Sequence, residues 1–205
     1  REHPDIYIAL GDEQRFSCNY YHALEFYQKA EQVYLAEDDT EGLSKAYRSM
    51  AEIYLDIIQP AQAQVFLRKT YKTLGGKDHR DKAVILGLMA ENMINQGMPR
   101  RAERYRQLAR QSAYFQDNNN LEARILLRTG KYVDAIKILE QARSNEAQDQ
   151  YHIPCSFRET PLILSVCYSY IGNSEKALTE AQKGIELGEK MFSSFVKVVG
   201  YVRMG

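Results

Sequence analysis

The stretch that decides the fold is YIALGDEQRFSCNYYHALEFYQKA, Tyr7 to Ala30. Apolar residues recur at helical spacing on both sides of a short polar break around Ser17 to Asn19, so it reads as helix, turn, helix. The same skeleton returns four times: YRSMAEIYLDIIQPAQAQVFLRKT from Tyr47, LGLMAENMINQGMPRRAERYRQLA from Leu86, NNLEARILLRTGKYVDAIKILEQA from Asn119 and PLILSVCYSYIGNSEKALTEAQKG from Pro161. An alanine holds one fixed place in every second helix, at Ala23, Ala63, Ala102, Ala135 and Ala177. Twelve positions earlier the chain carries Gly11, Ala51, Ala90, Ala123 and Ser165, small in each case. Small residues at both places let two helices approach closely, while Leu10, Met50, Met89, Tyr54, Tyr168 and Leu139 fill the layer between pairs. Gly97-Met98-Pro99, Gly130-Lys131 and Gly172-Asn173 supply the turn chemistry of three hairpins.

This layout resembles the tetratricopeptide repeat, in which an aromatic, Leu-Gly and Tyr precede an Ala and a later aromatic and Ala. The first window matches at Tyr7, Leu10, Gly11, Ala23, Tyr27 and Ala30 but has Gln14 where Tyr54 and Tyr168 stand in other windows. Arg106, Glu122 and an irregular period depart from the pattern. The resemblance implies an all-α tetratricopeptide-type solenoid of antiparallel helix pairs with a right-handed superhelix. Its repeats run over about 4–40, 41–77, 81–116, 117–145 and 159–191, and a truncated sixth begins at 193–205. The last five residues, YVRMG, repeat the aromatic, apolar and glycine places of Tyr7, Leu10 and Gly11, and Arg1 is not a methionine. The chain therefore reads as a single superhelix cut from a longer protein, its last helix frayed or packed on another copy.

Helix-end signals agree with this division. Thr160 before Pro161 predicts a hydroxyl N-cap, and Asp117 can cap the fourth pair. The polar stretch from Gln141 to Glu159 reads as a rim loop. Tyr20, Tyr21, Tyr27 and Tyr34 lie at near-helical spacing and read as packing residues with exposed hydroxyls.

Of 205 residues, Lys and Arg number 27 and Asp and Glu 27, so no net positive charge draws this piece to a nucleic-acid backbone. Apolar runs such as PLILSVCYSYIG are too short to span a membrane, which needs about 18–20 residues. Three cysteines without CxxC spacing, Cys18, Cys155 and Cys167, read as reduced thiols of a cytoplasmic protein. LGGKDH at Leu74 to His79 lacks the first glycine and the Ser or Thr of a phosphate loop and reads as a helix stop. His3, His22, His79 and His152 form no ligand pattern, and Cys155 near His152 lacks an orienting group. No catalytic, metal or cofactor site is expected here.

The first helices of such arrays line the binding face. Arg48 and Glu52, Glu91 and Asn95, and Arg124 and Arg128 are each spaced i,i+4 and share a helix face. Together they outline a polar, partly basic groove for a small polar ligand or a peptide. The plainer reading is solvated helix faces, with Arg48 and Glu52 an exposed pair contributing a few tenths of a kcal/mol. Comparison with tetratricopeptide domains that clamp a terminal carboxylate does not help the peptide reading, because Ile8 and Asp12 stand where those domains resemble one another in a Lys and an Asn.

From Phe157 onward the chain resembles a narrower family. Arg158-Glu159, Pro161, Gly172, Ala177, Glu186-Leu187-Gly188, Ser194-Phe195-Val196 and the final Gly200-Tyr201, Arg203 and Gly205 are similar to the C-terminal part of the repeat region in large ATP-binding LuxR-type (maltose-regulator-like) bacterial transcriptional regulators. The resemblance implies a domain that senses an inducer and aids self-association, flanked in the whole protein by nucleotide-binding and DNA-binding modules. A peptide-binding scaffold or pheromone-receptor domain is the alternative, and an enzyme the weakest reading.

Overall fold

A computed structural model of the protein describes residues 3–75, 80–113, 119–143, 159–190 and 193–205. It is all-helical among the described residues. The helices are α1 (Pro4–Phe16), α2 (Tyr20–Ala36), α3 (Thr40–Asp56), α4 (Pro60–Thr73), α5 (Arg80–Asn95), α6 (Pro99–Arg110), α7 (Asn119–Arg128), α8 (Tyr132–Arg143), α9 (Thr160–Tyr170), α10 (Ser174–Lys190) and α11 (Ser194–Met204). None is long and apolar enough to cross a membrane.

Their starts follow from local chemistry. Proline stands in the first turn of α1, α4, α6 and α9, where its missing N–H leaves no intrahelical bond unmade. The Asp39 carboxylate accepts from the Gly42 amide at 2.9 Å, and the Ser193 hydroxyl accepts from the Val196 amide at 3.3 Å. The expected cap at Thr160 is displaced by one residue. Glu159 is the N-cap of α9, Thr160 lies inside the helix, and its hydroxyl donates to Asn120 Oδ1 at 3.1 Å instead. The cap expected at Asp117 and the loop read over 144–158 lie outside the described residues.

The turn within each helix pair is built in one way. The residue five before each fixed alanine is Cys18, Ile58, Gly97, Gly130 or Gly172, with φ of 61°, 55°, 70°, 76° and 76°. In every case its amide bonds a carbonyl three residues back and the next amide bonds one five back, as in Cys18 to Arg15 and Asn19 to Gln14. This is the Schellman arrangement, which satisfies carbonyls left over at a helix end. Cys18 and Ile58 thus occupy a left-handed conformation that the later turns give to glycine. For a β-branched side chain it costs about 1–2 kcal/mol. Ile58 is 61% exposed, so little packing opposes its removal. Ile58→Gly is expected to raise stability by about 0.5–1 kcal/mol after the extra chain entropy of glycine is subtracted. A urea midpoint that falls would contradict that origin of strain.

The helices form two compact units, residues 1–117 and 118–205. In the first, α1 packs on α2, α3 on α4 and α5 on α6; α2 also meets α3, α4 meets α5, and the first helices α1, α3 and α5 touch in series. The fixed alanines Ala23, Ala63 and Ala102 are fully buried, as are Ala51 and Ala90 opposite them. Gly11 is buried because the Tyr27 ring lies against it: a Cβ there would stand 2.6 Å from Tyr27 Cδ1. Gly42 makes the same room for Tyr34. Two of the four tyrosines correct the expectation of exposed hydroxyls, while Tyr21 is exposed. Tyr27 and Tyr34 are buried and donate to Asp12 at 2.6 Å and Asp5 at 2.8 Å, because a phenol placed in an apolar core needs an acceptor. Lys29 lies over Phe26 and Tyr7, and Lys69 over Phe66 and Tyr47, one arrangement in two successive pairs. Arg106 keeps its apolar position by burying its guanidinium on Glu103, at 2.9 and 3.2 Å.

In the second unit α7 packs on α8, α9 on α10, and α11 on α10 and α9. Its core gathers Ala123, Ala135, Leu139, Ile163, Leu164, Cys167, Tyr168 and Ala177. Ala181, Gly184 and Gly188 form a buried small face on α10, and α11 returns Gly200 to it.

Candidate functional site

Arg48, Glu52 and Asp56 follow one another at i,i+4 on α3 and share a face. The principal partner of that face comes from α1. Arg15, whose side chain is 2% exposed, donates from Nε to Asp56 Oδ2 at 2.8 Å and from Nη1 to Glu52. Arg48 then stands 3.9 Å from Glu52 and donates to Asp81 of α5 at 3.2 Å. A charged chain from Asp56 through Arg15, Glu52 and Arg48 to Asp81 therefore crosses three successive first helices. Burial of these groups is tolerable only because each charge meets an opposite one. One turn before Arg15, Asp12 accepts from the Tyr27 hydroxyl; burial raises its carboxyl above the usual carboxylate range, and that hydrogen bond works against the rise.

The six residues singled out from the sequence occupy different surroundings. Arg48 and Glu52 are half-buried and joined in this network, more by Arg15 and Asp81 than by each other. Glu91 is buried on α5 at 5% exposure, and Asn95 one turn later is half-buried. In the second unit Arg124 is buried at 6% and Arg128 is exposed on α7. Glu91 and Arg124 do not lie on solvated faces.

Sequence reasoning passed over Arg15, Asp12, Asp56 and Asp81. Two of them carried a register signal. Asp12 precedes its fixed alanine by the same eleven positions as Glu52, Glu91 and Arg124, and Asp56 takes the place of Asn95 and Arg128. Arg15 signals itself differently, as a charge where later pairs have Leu55, Ile94 and Leu127. Nothing in the repeat register marks Asp81.

Beside the network, α3 and α5 enclose a cavity of about 90 Å³ lined by Glu41, Ser44, Lys45, Arg48 and Asp81. Lys45 is steadied by Asp5 at 2.8 Å, the carboxylate that also accepts from Tyr34. Hydrogen bonds from Lys45 and Tyr34 lower the Asp5 carboxyl below its ordinary value.

The second unit has its own polar cluster. Arg143 of α8 forks onto Glu180 of α10, and Lys183 adds a contact at 2.8 Å. Glu140 accepts from the Tyr168 hydroxyl at 3.1 Å. Burial works to raise the Glu180 carboxyl, but the bonds from Arg143 and Lys183 prevail and hold it below the usual range. The folded state thus binds this proton less readily than the unfolded chain. The stabilisation is complete above the unfolded carboxyl value, about 4.3, and is lost as pH falls through the lower folded value. Glu180→Gln should therefore show a smaller drop in urea midpoint between pH 6 and pH 3 than the parent chain; an equal drop would remove Glu180 from the acid response.

Among the described residues no group of three His, Cys, Asp or Glu is placed to hold a metal ion. Cys167 is buried, and burial pushes its thiol up to about 11, which disfavours the reactive thiolate. His79, His152 and Cys155 lie outside the described residues. Gly75 follows the end of α4 with φ of 68°, the geometry of a helix stop. No family model matches the chain, and no curated protein is significantly similar to it.

Proposed function

We propose that the helix pairs are tetratricopeptide-type repeats of a solenoid, and that the chain is the ligand-sensing and self-association region of a LuxR-type ATP-dependent bacterial regulator. The observation that carries the binding role is the half-buried ionic face of α1, α3 and α5, with a polar cavity opening beside it. Fixed charges whose partners are already in place recognise a polar ligand at low ordering cost. The common turn geometry and the buried small residues support the repeat reading. Family likeness rests on the resemblance after Phe157, where Gly188 and Gly200 serve helix packing; their part in the fold explains the motif without identifying an inducer. Val198, Tyr201 and Val202 leave an exposed apolar stripe on α11 that suits self-association.

A thermal-shift screen of sugars, polyols, amines and short peptides tests the reading. A ligand at a hundredfold excess over its Kd contributes about 2.7 kcal/mol, a rise of roughly 5–10 °C for a chain of this size. Arg48→Ala should change the rise if the ligand sits on α3, weakening it for an anionic ligand and strengthening it for a cationic one, and Arg124→Ala with Arg128→Ala should change it if the ligand sits on α7. A response confined to peptides moves the chain to the peptide-binding class. No response to any of them, together with a monomer at every concentration in sedimentation, overturns the proposal.

A further inference from the structure

We infer that the cavity between α3 and α5 binds a primary ammonium group, carried by a small amine or by a lysine side chain. The inference rests on the reading of the chain as a ligand-binding domain and names the chemistry of one site.

Ser44 is 4% exposed and lines the cavity, yet its hydroxyl has no hydrogen-bond partner among the described residues. The hydroxyl faces the cavity, where a bound N–H donor supplies the partner it lacks. Glu41, on the same turn of α3, likewise has no ion-pair partner there. The two cations of the described lining are already engaged: Lys45 holds Asp5 and Arg48 holds Asp81.

The cavity, of about 90 Å³, is open to solvent and has room for an ammonium head whose stem extends outward. An ammonium has three N–H donors, and the wall offers the Ser44 hydroxyl and the Glu41 and Asp81 carboxylates as acceptors.

Isothermal titration at constant ionic strength tests this with ethanolamine, putrescine, the blocked peptide acetyl-Gly-Lys-Gly-amide and tetramethylammonium. The three primary amines differ in what bears the ammonium, so the tighter of free amine and lysine peptide identifies the source. Saturable binding of at least one primary amine is expected, with none for tetramethylammonium, which has the charge but no N–H. Glu41→Gln should weaken amine binding about tenfold, the loss of one charged hydrogen bond. Ser44→Ala should weaken it about fivefold while leaving the urea midpoint unchanged or higher, because it deletes an unpaired hydroxyl. Binding that is equal for tetramethylammonium, or unaltered in both variants, overturns the inference. So does failure of every amine. If amines fail while other compounds raise the melting temperature, the sensing role stands and only the ammonium assignment falls.

Discussion

Arg15→Ala is expected to destabilise the first unit by about 3–5 kcal/mol, because it strips a buried guanidinium from two carboxylates and leaves their charges in place. Asp56 is only 4% exposed at its side chain and Glu52 20%, so water cannot replace what Arg15 supplies. Arg15→Lys should recover part of the loss, since an ammonium matches the charge but cannot reach both carboxylates with the planar fork. The double change Arg15→Met with Asp56→Leu should recover more, because an apolar pair of similar volume removes the desolvation cost as well as the attraction. Urea unfolding of the four chains decides the matter. A loss below about 1 kcal/mol for Arg15→Ala would place the network among weak surface pairs.

Gly188→Ala is expected to cost about 1–3 kcal/mol, a large effect for one methyl group. A Cβ at Gly188 would lie 2.6 Å from the Lys197 amide nitrogen and 2.9 Å from its Cα. Backbone atoms cannot rotate aside as a side chain does, so α10 and α11 would have to separate. That would loosen the seat of Val196, which is fully buried, and of Gly200, whose own Cβ would stand 2.6 Å from Ile185 Cγ1. The matched control is Gly87→Ala on α5, where a Cβ meets nothing within 4 Å. There alanine should stabilise by about 0.5–1 kcal/mol through helix propensity alone. Equal effects at the two glycines would rule out a close helix crossing at Gly188.

Much of the helical organisation is legible in the chain itself. The spacing of Ala23, Ala63, Ala102, Ala135 and Ala177, with a small residue twelve places before each, marks helix pairs and the residues they bury. Gly97, Gly130 and Gly172 announce left-handed turns because glycine is the residue that adopts them without strain. Cys18 and Ile58 announce nothing, and only the turn geometry shows that they take the same conformation. In the candidate site, Glu52 and Arg48 could be chosen from i,i+4 spacing, a local property. Their true partners, Arg15 and Asp81, are 37 and 33 residues away in the chain.

What the sequence determined alone was therefore helix period, the glycine turns and the faces on which polar residues lie, all set by near neighbours. Tertiary structure alone decided which charges meet, that Tyr27 and Tyr34 end on Asp12 and Asp5, and that the Ser44 hydroxyl has no partner among the described residues beside a cavity. The reason is physical. Helical periodicity acts over a few residues, whereas the pairing of long polar side chains depends on the crossing of α1, α3 and α5 and on the rotamers that burial permits.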